Sequence, residues 1–147
     1  MIEAELEQYL HDHIPLSRAM AVRVSEIGQN RVVLSAPLAP NINHHDTVFG
    51  GSAASVATLA AWSFVHVRLL ATGLSGRIVI QRSTMEYTVP IAGEFQAVAS
   101  MGDEADWTGF IRMLTRRNRA RVRICTELQF EGKPAGLFGG EFVAFRG

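Results

Sequence analysis

The sequence predicts an α+β fold in which one antiparallel sheet wraps around a single long helix, and two observations and one packing argument support this prediction. The residues from Gly51 to about Leu70 are apolar on nearly every face, which is typical of a buried helix. Two strand-like segments rich in β-branched residues precede this helix, and about four more follow it. Because a helix that is apolar all round must be covered on every side, a sheet curved around it is the most economical packing.

The other elements follow from local patterns. Apolar residues recur at helical spacing among acidic ones from Ile2 to about His13, before Pro15, so a short amphipathic helix is expected there. Segments rich in β-branched residues or alternating in polarity predict strands at 20–27, 31–38, 77–91, 95–101, 119–130 and 135–145. An acidic loop at 102–106 is expected to end in Asp106, which caps a short helix reaching Arg117.

Composition limits the class of protein. The 147 residues are expected to form one domain over 1–147, and 14 basic against 14 acidic residues leave no net charge to attract nucleic acid. Cys125 is the only cysteine, so an intramolecular disulfide is excluded. The acidic start of the chain does not resemble a secretory signal, and we expect a cytoplasmic protein.

The long apolar segment raises the question of a membrane span. Residues from Thr47 to Val65 carry no charge, and a stretch of about 18 such residues is long enough to cross a bilayer. Its Gly, Ser, Thr and Ala residues are only weakly hydrophobic, and strands with half-polar faces are suited to surround a soluble core. We therefore expect no membrane span.

A polar loop at 41–49 leads directly into the long helix, and this junction is the predicted functional site. Gly50 and Gly51 place backbone N–H groups at the helix N-terminus, which favours anions and developing oxyanions. We expect the N–H of Gly51 to be the oxyanion donor. The alternative is that both glycines allow close packing of the helix against the sheet.

Asn43, His45 and Asp46 supply the other polar groups of the predicted site. Asp46 or His45 is expected to activate water as a general base, while Asn43 orients the water or the substrate carbonyl. The alternative is ordinary loop chemistry, because Asn and Asp readily bond nearby backbone and cap helices. No metal site is expected, since His44 and His45 would point apart on an extended chain and no third ligand lies nearby.

The order of elements and the motif that opens the helix resemble the hotdog-fold acyl-CoA thioesterases over nearly the whole chain. The resemblance is closest to the thioesterase family that also occurs as the C-terminal domain of YiiD-type acetyltransferase fusions. The matching residues are Asn41, Asn43, Thr47, Phe49, Gly50, Gly51, Ser52 and Trp62, together with 87–91 in the strand after the helix. The resemblance implies an acyl-CoA or acyl-carrier-protein thioester bound in a tunnel between subunits of a homodimer or a dimer of dimers. It implies no cofactor besides the coenzyme A moiety of the substrate.

One departure from the family pattern concerns the general base. Many related thioesterases have His-Gly-Gly at the position of Phe49 to Gly51, and a carboxylate about two helical turns farther on, where Thr58 stands. The base is therefore expected in the loop, at Asp46 or His45. Two alternatives remain: a non-catalytic acyl-thioester binding module, which Thr58 favours, and a hotdog dehydratase or hydratase, which pairs a histidine with a carboxylate.

Further residues are expected to contact the substrate. Phe49, Gly50, Ser52 and Thr58 lie along the start of the helix and are candidates to line the tunnel. The hydroxyl groups on the helix could instead bond to the preceding helical turn.

The strand after the helix adds two polar candidates for the tunnel border. Gln81 and Ser83 are expected on the same face as Val79, Met85 and Tyr87, unless a bulge turns them outward.

Five arginines within 116–123 form a basic cluster. By resemblance, Arg116 and Arg117 near the predicted helix-to-strand corner are the expected contacts to the coenzyme A phosphates, which guanidinium groups suit well. Alternation on a solvated strand explains the other three arginines of the cluster.

Overall fold

The computed structural model describes residues 1–103 and 105–147 and confirms the expected α+β architecture. The helices are α1 (Glu3–His13), α2 (Pro15–Ala19), α3 (Gly50–Ala71) and α4 (Trp107–Arg117). The strands are β1 (Arg23–Ile27), β2 (Val32–Ala36), β3 (Arg77–Tyr87), β4 (Phe95–Met101), β5 (Arg119–Phe130) and β6 (Lys133–Phe145). Glu104, part of the expected acidic loop, lies outside the described residues. Asp106 caps α4 as expected, because its side chain accepts a hydrogen bond from the N–H of Gly109.

The six strands form one sheet in the order β1-β2-β4-β5-β6-β3, and all neighbouring pairs are antiparallel. The sheet curves around α3, as the apolar pattern predicts. The hydroxyl of Thr126 on β5 donates to the carbonyl of Ala57 on α3 over 3.0 Å, which identifies the inner face of the sheet. Large side chains on this face, among them Phe138 and Phe142, are almost fully buried.

The central helix α3 is buried on most sides, with Val56, Ala60 and Phe64 in the core. It has 22 residues and is long and apolar enough to cross a membrane by those two criteria. In this fold 56% of its most apolar window is buried, as expected for the core helix of a soluble protein. The helix is therefore part of the core and not a membrane span.

The two edges of the sheet differ. At the β1 edge, three side chains on one stripe of α1 bond the strand and the residue before it: Glu7 accepts from the N–H of Val24, Glu3 accepts from the N–H of Ile27, and His11 donates to the carbonyl of Val22. Within the described residues β3 pairs only with β6, and nearly all of its residues are exposed. One edge is thus covered by a helix and the other is open.

The sequence-based prediction for Pro15 was incomplete. Pro15 follows α1, but it also begins the short helix α2, which was not expected. At the first position of a helix the missing N–H of proline is no disadvantage, and its fixed φ suits the helical conformation.

The pairing of β3 contains a bulge, the alternative left open above; Ser83 shares a face with Met85 and Tyr87 as expected, but not with Val79. The pairing with β6 shifts register at Gln81, so that Val79 lies opposite Val143 and Ser83 lies opposite Gly140. Paired residues share a sheet face, and residues three apart on β6 lie on opposite faces. Val79 therefore lies on the outer face, whereas Ser83 lies on the inner face.

Candidate active site

Asn41 anchors the polar loop that precedes α3. Its buried side-chain amide donates to the carbonyls of Met20, over 3.0 Å, and Pro37, over 2.8 Å. Its own backbone carbonyl accepts from the N–H of Phe49 over 2.7 Å. The loop therefore starts and ends at the same buried residue, which fixes the position where the helix begins.

Asn43 organises the turn at the tip of this loop. Its Oδ1 accepts hydrogen bonds from the N–H groups of His45, over 2.8 Å, and Thr47, over 3.1 Å, while its Nδ2 donates to the Thr47 hydroxyl over 2.9 Å. This is the local side-chain-to-backbone bonding typical of Asn in turns. The geometry gives Asn43 a structural task, and its contact with water or substrate stays a prediction.

The titratable residues of the loop are exposed at the turn. Asp46 adopts a left-handed conformation with φ of 63°, which Asp tolerates better than most residues. The rings of His44 and His45 lie 3.9 Å apart, contrary to the expectation that they point apart, because these residues form a turn and not an extended strand. Among the described residues no group of three or more His, Cys, Asp or Glu side chains is placed to hold a metal ion.

The N-terminus of α3 retains unpartnered donors. Phe49 occupies the N-cap position, and the first helical hydrogen bond runs from the N–H of Ala53 to the Phe49 carbonyl over 3.0 Å. Within the described chain, no side chain caps this helix, and the N–H groups of Gly50, Gly51 and Ser52 have no acceptor. A helix of this length usually has its first N–H groups bonded by a cap or by water, so these donors are available for a ligand.

The two glycines have different surroundings. A Cβ atom on Gly51 would collide with the ring of Phe49, which folds back over the start of the helix. A Cβ atom on Gly50 would lie 3.6 Å from the Tyr87 ring, which is ordinary van der Waals contact. The close contact at Gly51 is with the exposed Phe49 ring and not with the sheet, and the contact at Gly50 is an ordinary one, so close packing of the helix against the sheet requires neither glycine.

Tyr87 is a site residue that the sequence-based reasoning missed. It lies at the end of β3, and its hydroxyl donates to the carbonyl of Gly50 over 3.2 Å. Its side chain is largely exposed beside the first turn of α3. The family-like motif at 87–91 pointed to this segment, but not to a contact with the helix.

The other candidates on α3 and β3 are spread more widely. Thr58 lines a cavity of about 340 Å³, and its hydroxyl donates to the carbonyl of Ala54 over 2.7 Å, as helical threonines often do. Ser52 is in the first turn of α3 and does not line that cavity. On β3, Gln81 lies at the bulge and Ser83 on the exposed part of the inner face.

The arginine cluster lies elsewhere in the molecule. Arg116 and Arg117 are exposed on the last turn of α4 and do not line the cleft beside it. The cleft of about 660 Å³ beside them is lined by other charged residues, namely Arg119, Arg121, Arg123, Asp106 and Glu141.

This cluster and the polar loop are at opposite ends of α3. Arg77 and Arg119 both pair with Phe145, and β3 begins at Arg77 soon after α3 ends. Gly51 is at the other end of this helix, about 30 Å away at 1.5 Å per residue. Within one chain, the arginine cluster therefore does not lie near the polar loop.

Solved structures share this arrangement over nearly their whole length. The chain aligns over 99% of its length with 94% of a protein of unknown function from Chlorobaculum tepidum, at 27% identity and a TM-score of 0.92. It aligns over 98% of its length with 97% of a "putative thioesterase" from Shewanella oneidensis, at 28% identity and a TM-score of 0.89. A thioesterase from Haemophilus influenzae shares the fold at 11% identity, with 99% of this chain and 92% of that one covered and a TM-score of 0.77.

The sheet wrapped around one helix and these structural matches identify the hotdog fold. The family model that matches nearly the whole chain places the protein among the thioester hydrolases. The family model described as "Putative thioesterase (yiiD_Cterm)" matches residues 3–146, and the chain belongs to that family. The resemblance drawn from the sequence is confirmed in both respects.

Proposed function

We propose that this protein hydrolyses an acyl-CoA or acyl-carrier-protein thioester at the N-terminus of α3. The observation that supports this most directly is the group of unpartnered N–H donors at Gly50, Gly51 and Ser52, which follow the exposed His45 and Asp46 by a few residues in the chain. A helix N-terminus carries about half a positive charge. Donors fixed in this way stabilise a developing oxyanion without reorganising during the reaction.

In the proposed reaction, water attacks the thioester carbonyl carbon while Asp46 or His45 accepts a proton from it. The carbonyl π electrons move to oxygen, and the resulting oxyanion is bound by the N–H of Gly51. When the tetrahedral intermediate collapses, the C–S bond breaks and the thiolate takes up a proton. The products are a carboxylic acid and a free thiol, and the reaction requires no metal or cofactor.

The proposed active unit is a homodimer formed through the open β3 edges. Unpaired edge strands readily pair with another chain. The exposed apolar side chains of this strand and its continuation, Val79, Ile80, Tyr87 and Val89, favour such an interface. The other edge is covered by α1, so two copies would join only through β3, and the dimer could stack further into a dimer of dimers.

Dimerisation would also explain how Arg116 and Arg117, which are far from the polar loop of their own protomer, could contact the substrate. Two β3 strands that pair across a two-fold axis are antiparallel. The start of one strand therefore lies beside the end of the other. Arg116 and Arg117 of one protomer would then approach the partner's polar loop. There they are proposed to bind the phosphates of coenzyme A, with Phe49, Ser52, Gln81 and Ser83 bordering the tunnel.

Residues 1–147 are proposed to form one hotdog thioesterase-like domain of a cytoplasmic protein. A second candidate function is a non-catalytic module that binds acyl thioesters, which is favoured by Thr58 at the position of the usual helix carboxylate. A hotdog dehydratase is disfavoured, because His45 and Asp46 are neighbours in one turn and not separate elements facing a substrate.

Release of free thiol from a panel of acyl-CoAs tests the proposed function. Asp46→Ala and His45→Ala are compared with His44→Ala, the matched control in the same exposed turn. Loss of turnover in either of the first two variants, with activity retained in His44→Ala, would identify the base. Binding of acyl-CoA without turnover of any substrate would contradict hydrolysis and favour the binding module.

A further inference from the structure

A largely apolar cavity of about 340 Å³ lies between α3, the corner joining α1 to α2, and the inner face of the sheet. Seven of its nine lining residues are apolar: Ile14, Leu16, Ala54, Leu59, Trp62, Ile80 and Phe142. The other two are Ser55 and Thr58, and the hydroxyl of Thr58 already donates to Ala54. Because no charged side chain lines the cavity, it suits an uncharged hydrocarbon chain.

The cavity follows α3 away from the proposed oxyanion site. Its helical lining residues, from Ala54 to Trp62, form one stripe that starts about one turn after Gly51. Trp62 is eleven residues beyond Gly51, which corresponds to about 16 Å along the helix axis at 1.5 Å per residue. The acyl chain of a substrate whose carbonyl is bound at the Gly51 N–H would therefore extend along this stripe toward Trp62.

Trp62 is held rigidly at the far end of the stripe. Its indole N–H donates to the carbonyl of Ile78 over 3.1 Å. Its ring stacks on His66 at 4.7 Å between centroids, His66 stacks on Tyr9 at 4.8 Å, and Tyr9 stacks on His13 at 4.1 Å. This stack joins α1 to α3 behind the cavity. A side chain fixed on both sides forms a firm end wall.

We infer that Trp62 sets the maximum acyl chain length and that the substrate carries an uncharged acyl chain of medium length. The indole covers the helical turn before its own Cα, which leaves roughly 11 Å between Gly51 and the ring. An extended hydrocarbon chain advances about 1.3 Å per carbon, given C–C bonds of about 1.5 Å. The cavity thus holds about eight to ten carbons. This inference rests on the proposed function, because that function places the carbonyl at Gly51.

Binding of S-alkyl-CoA thioethers of increasing chain length, measured by calorimetry, tests this inference. The thioethers cannot be hydrolysed, so the measurement does not depend on catalysis. For the wild type, affinity should rise by up to about fourfold per added methylene and level off near about ten carbons. In Trp62→Ala the rise should continue for several more carbons. Trp107→Ala, in which the chain's other tryptophan on α4 is removed, should behave as the wild type does.

Two further variants test the inference if Trp62→Ala folds poorly. Trp62→Phe keeps an aromatic wall, so its chain-length limit should stay near that of the wild type. Leu59→Phe narrows the cavity and should lower the chain-length limit by two or more carbons. An unchanged limit in a folded Trp62→Ala variant, an unchanged limit in Leu59→Phe, or affinity independent of chain length would each overturn the inference. Absence of thiol release from true acyl-CoAs, with the length limit intact, would overturn hydrolysis alone.

Discussion

The hydroxyl of Tyr87 donates a hydrogen bond to the carbonyl oxygen of Gly50 over 3.2 Å and so joins the end of β3 to the first residue of α3. The Gly50 carbonyl and the Gly51 N–H belong to one planar peptide unit, in which the two groups point in opposite directions. A donor at the oxygen therefore fixes the direction of the N–H and increases its polarity. Tyr87 is in this sense a positioning residue for the proposed oxyanion donor.

Replacement of Tyr87 by Phe should lower kcat about three- to tenfold and leave KM nearly unchanged, because one hydrogen bond that acts through the oxyanion donor is lost. Stability should change by less than about 1 kcal/mol, since the hydroxyl is exposed. Thiol release and thermal unfolding measure the two effects. A variant with unaltered kcat would show that the contact has no part in the reaction.

The contact between α1 and the β1 edge of the sheet should weaken in acid. The pKa of Glu3 is lowered from its ordinary value of 4.5 by hydrogen bonds from backbone N–H groups, its own and that of Ile27. A carboxyl whose pKa is lower in the folded state stabilises the fold above its unfolded pKa, and this contribution is lost as pH falls through the folded value. Melting temperatures between pH 7 and about 3 should therefore fall more steeply for the wild type than for Glu3→Gln. Parallel curves would contradict this prediction.

The open β3 edge leads to a prediction about assembly. Val79→Lys places a charge on the outer face of this edge strand and should convert the dimer to a monomer in light scattering. Activity per chain should then fall at least about tenfold, because the partner's arginines no longer reach the site. Leu137→Lys is the control, since this equally exposed residue lies on β6 and not at the edge. A wild type that is already monomeric would refute the proposed dimer.

The arginines should contribute to coenzyme A binding and not to the chemical step. The double variant Arg116→Ala/Arg117→Ala should raise KM for an acyl-CoA about tenfold and leave kcat unchanged. With an acyl-N-acetylcysteamine, which has no nucleotide, no effect is expected. Arg18→Ala, on the surface of α2, serves as the control. If Arg121→Ala/Arg123→Ala raises KM instead, the phosphates bind in the cleft beside α4.

Most of the fold was predictable because it depends on local patterns. The continuous apolar character of α3 and the β-branched segments around it left little choice of architecture, and the predicted bounds of β4 and β5 match the structure. A bulge near Gln81 was left open as an alternative, but its presence could not be decided from the sequence, since the side chains before and after it alternate without interruption. Pro15 was interpreted only as the end of α1, because a proline that ends one helix and a proline that begins another have the same local signal.

The candidate site was predictable only in part. The polar loop and the two glycines are adjacent in sequence, so their proximity to the helix N-terminus follows from the chain itself. The contact of Tyr87 with Gly50 depends on how β3 passes α3, because the two residues are 37 positions apart in the sequence. The distance from the arginines to the loop likewise follows from the strand order, which local patterns do not specify.

The N–H of Gly51 is the central group of the proposed reaction, and it can be removed selectively. In a Phe49→Ala background the ring that would collide with a side chain at 51 is absent. Phe49→Ala/Gly51→Ala then keeps the N–H, whereas Phe49→Ala/Gly51→Pro removes it at a position in the first helical turn, where proline is tolerated best. Circular dichroism and thermal unfolding verify that both variants fold alike.

Thiol release by these two double variants is the most direct test. We predict that the proline variant has a kcat roughly 100- to 1,000-fold below that of the alanine variant, with comparable affinity for S-alkyl-CoA thioethers. Equal turnover by two equally stable variants would contradict the proposal that the N-terminus of α3 stabilises the oxyanion.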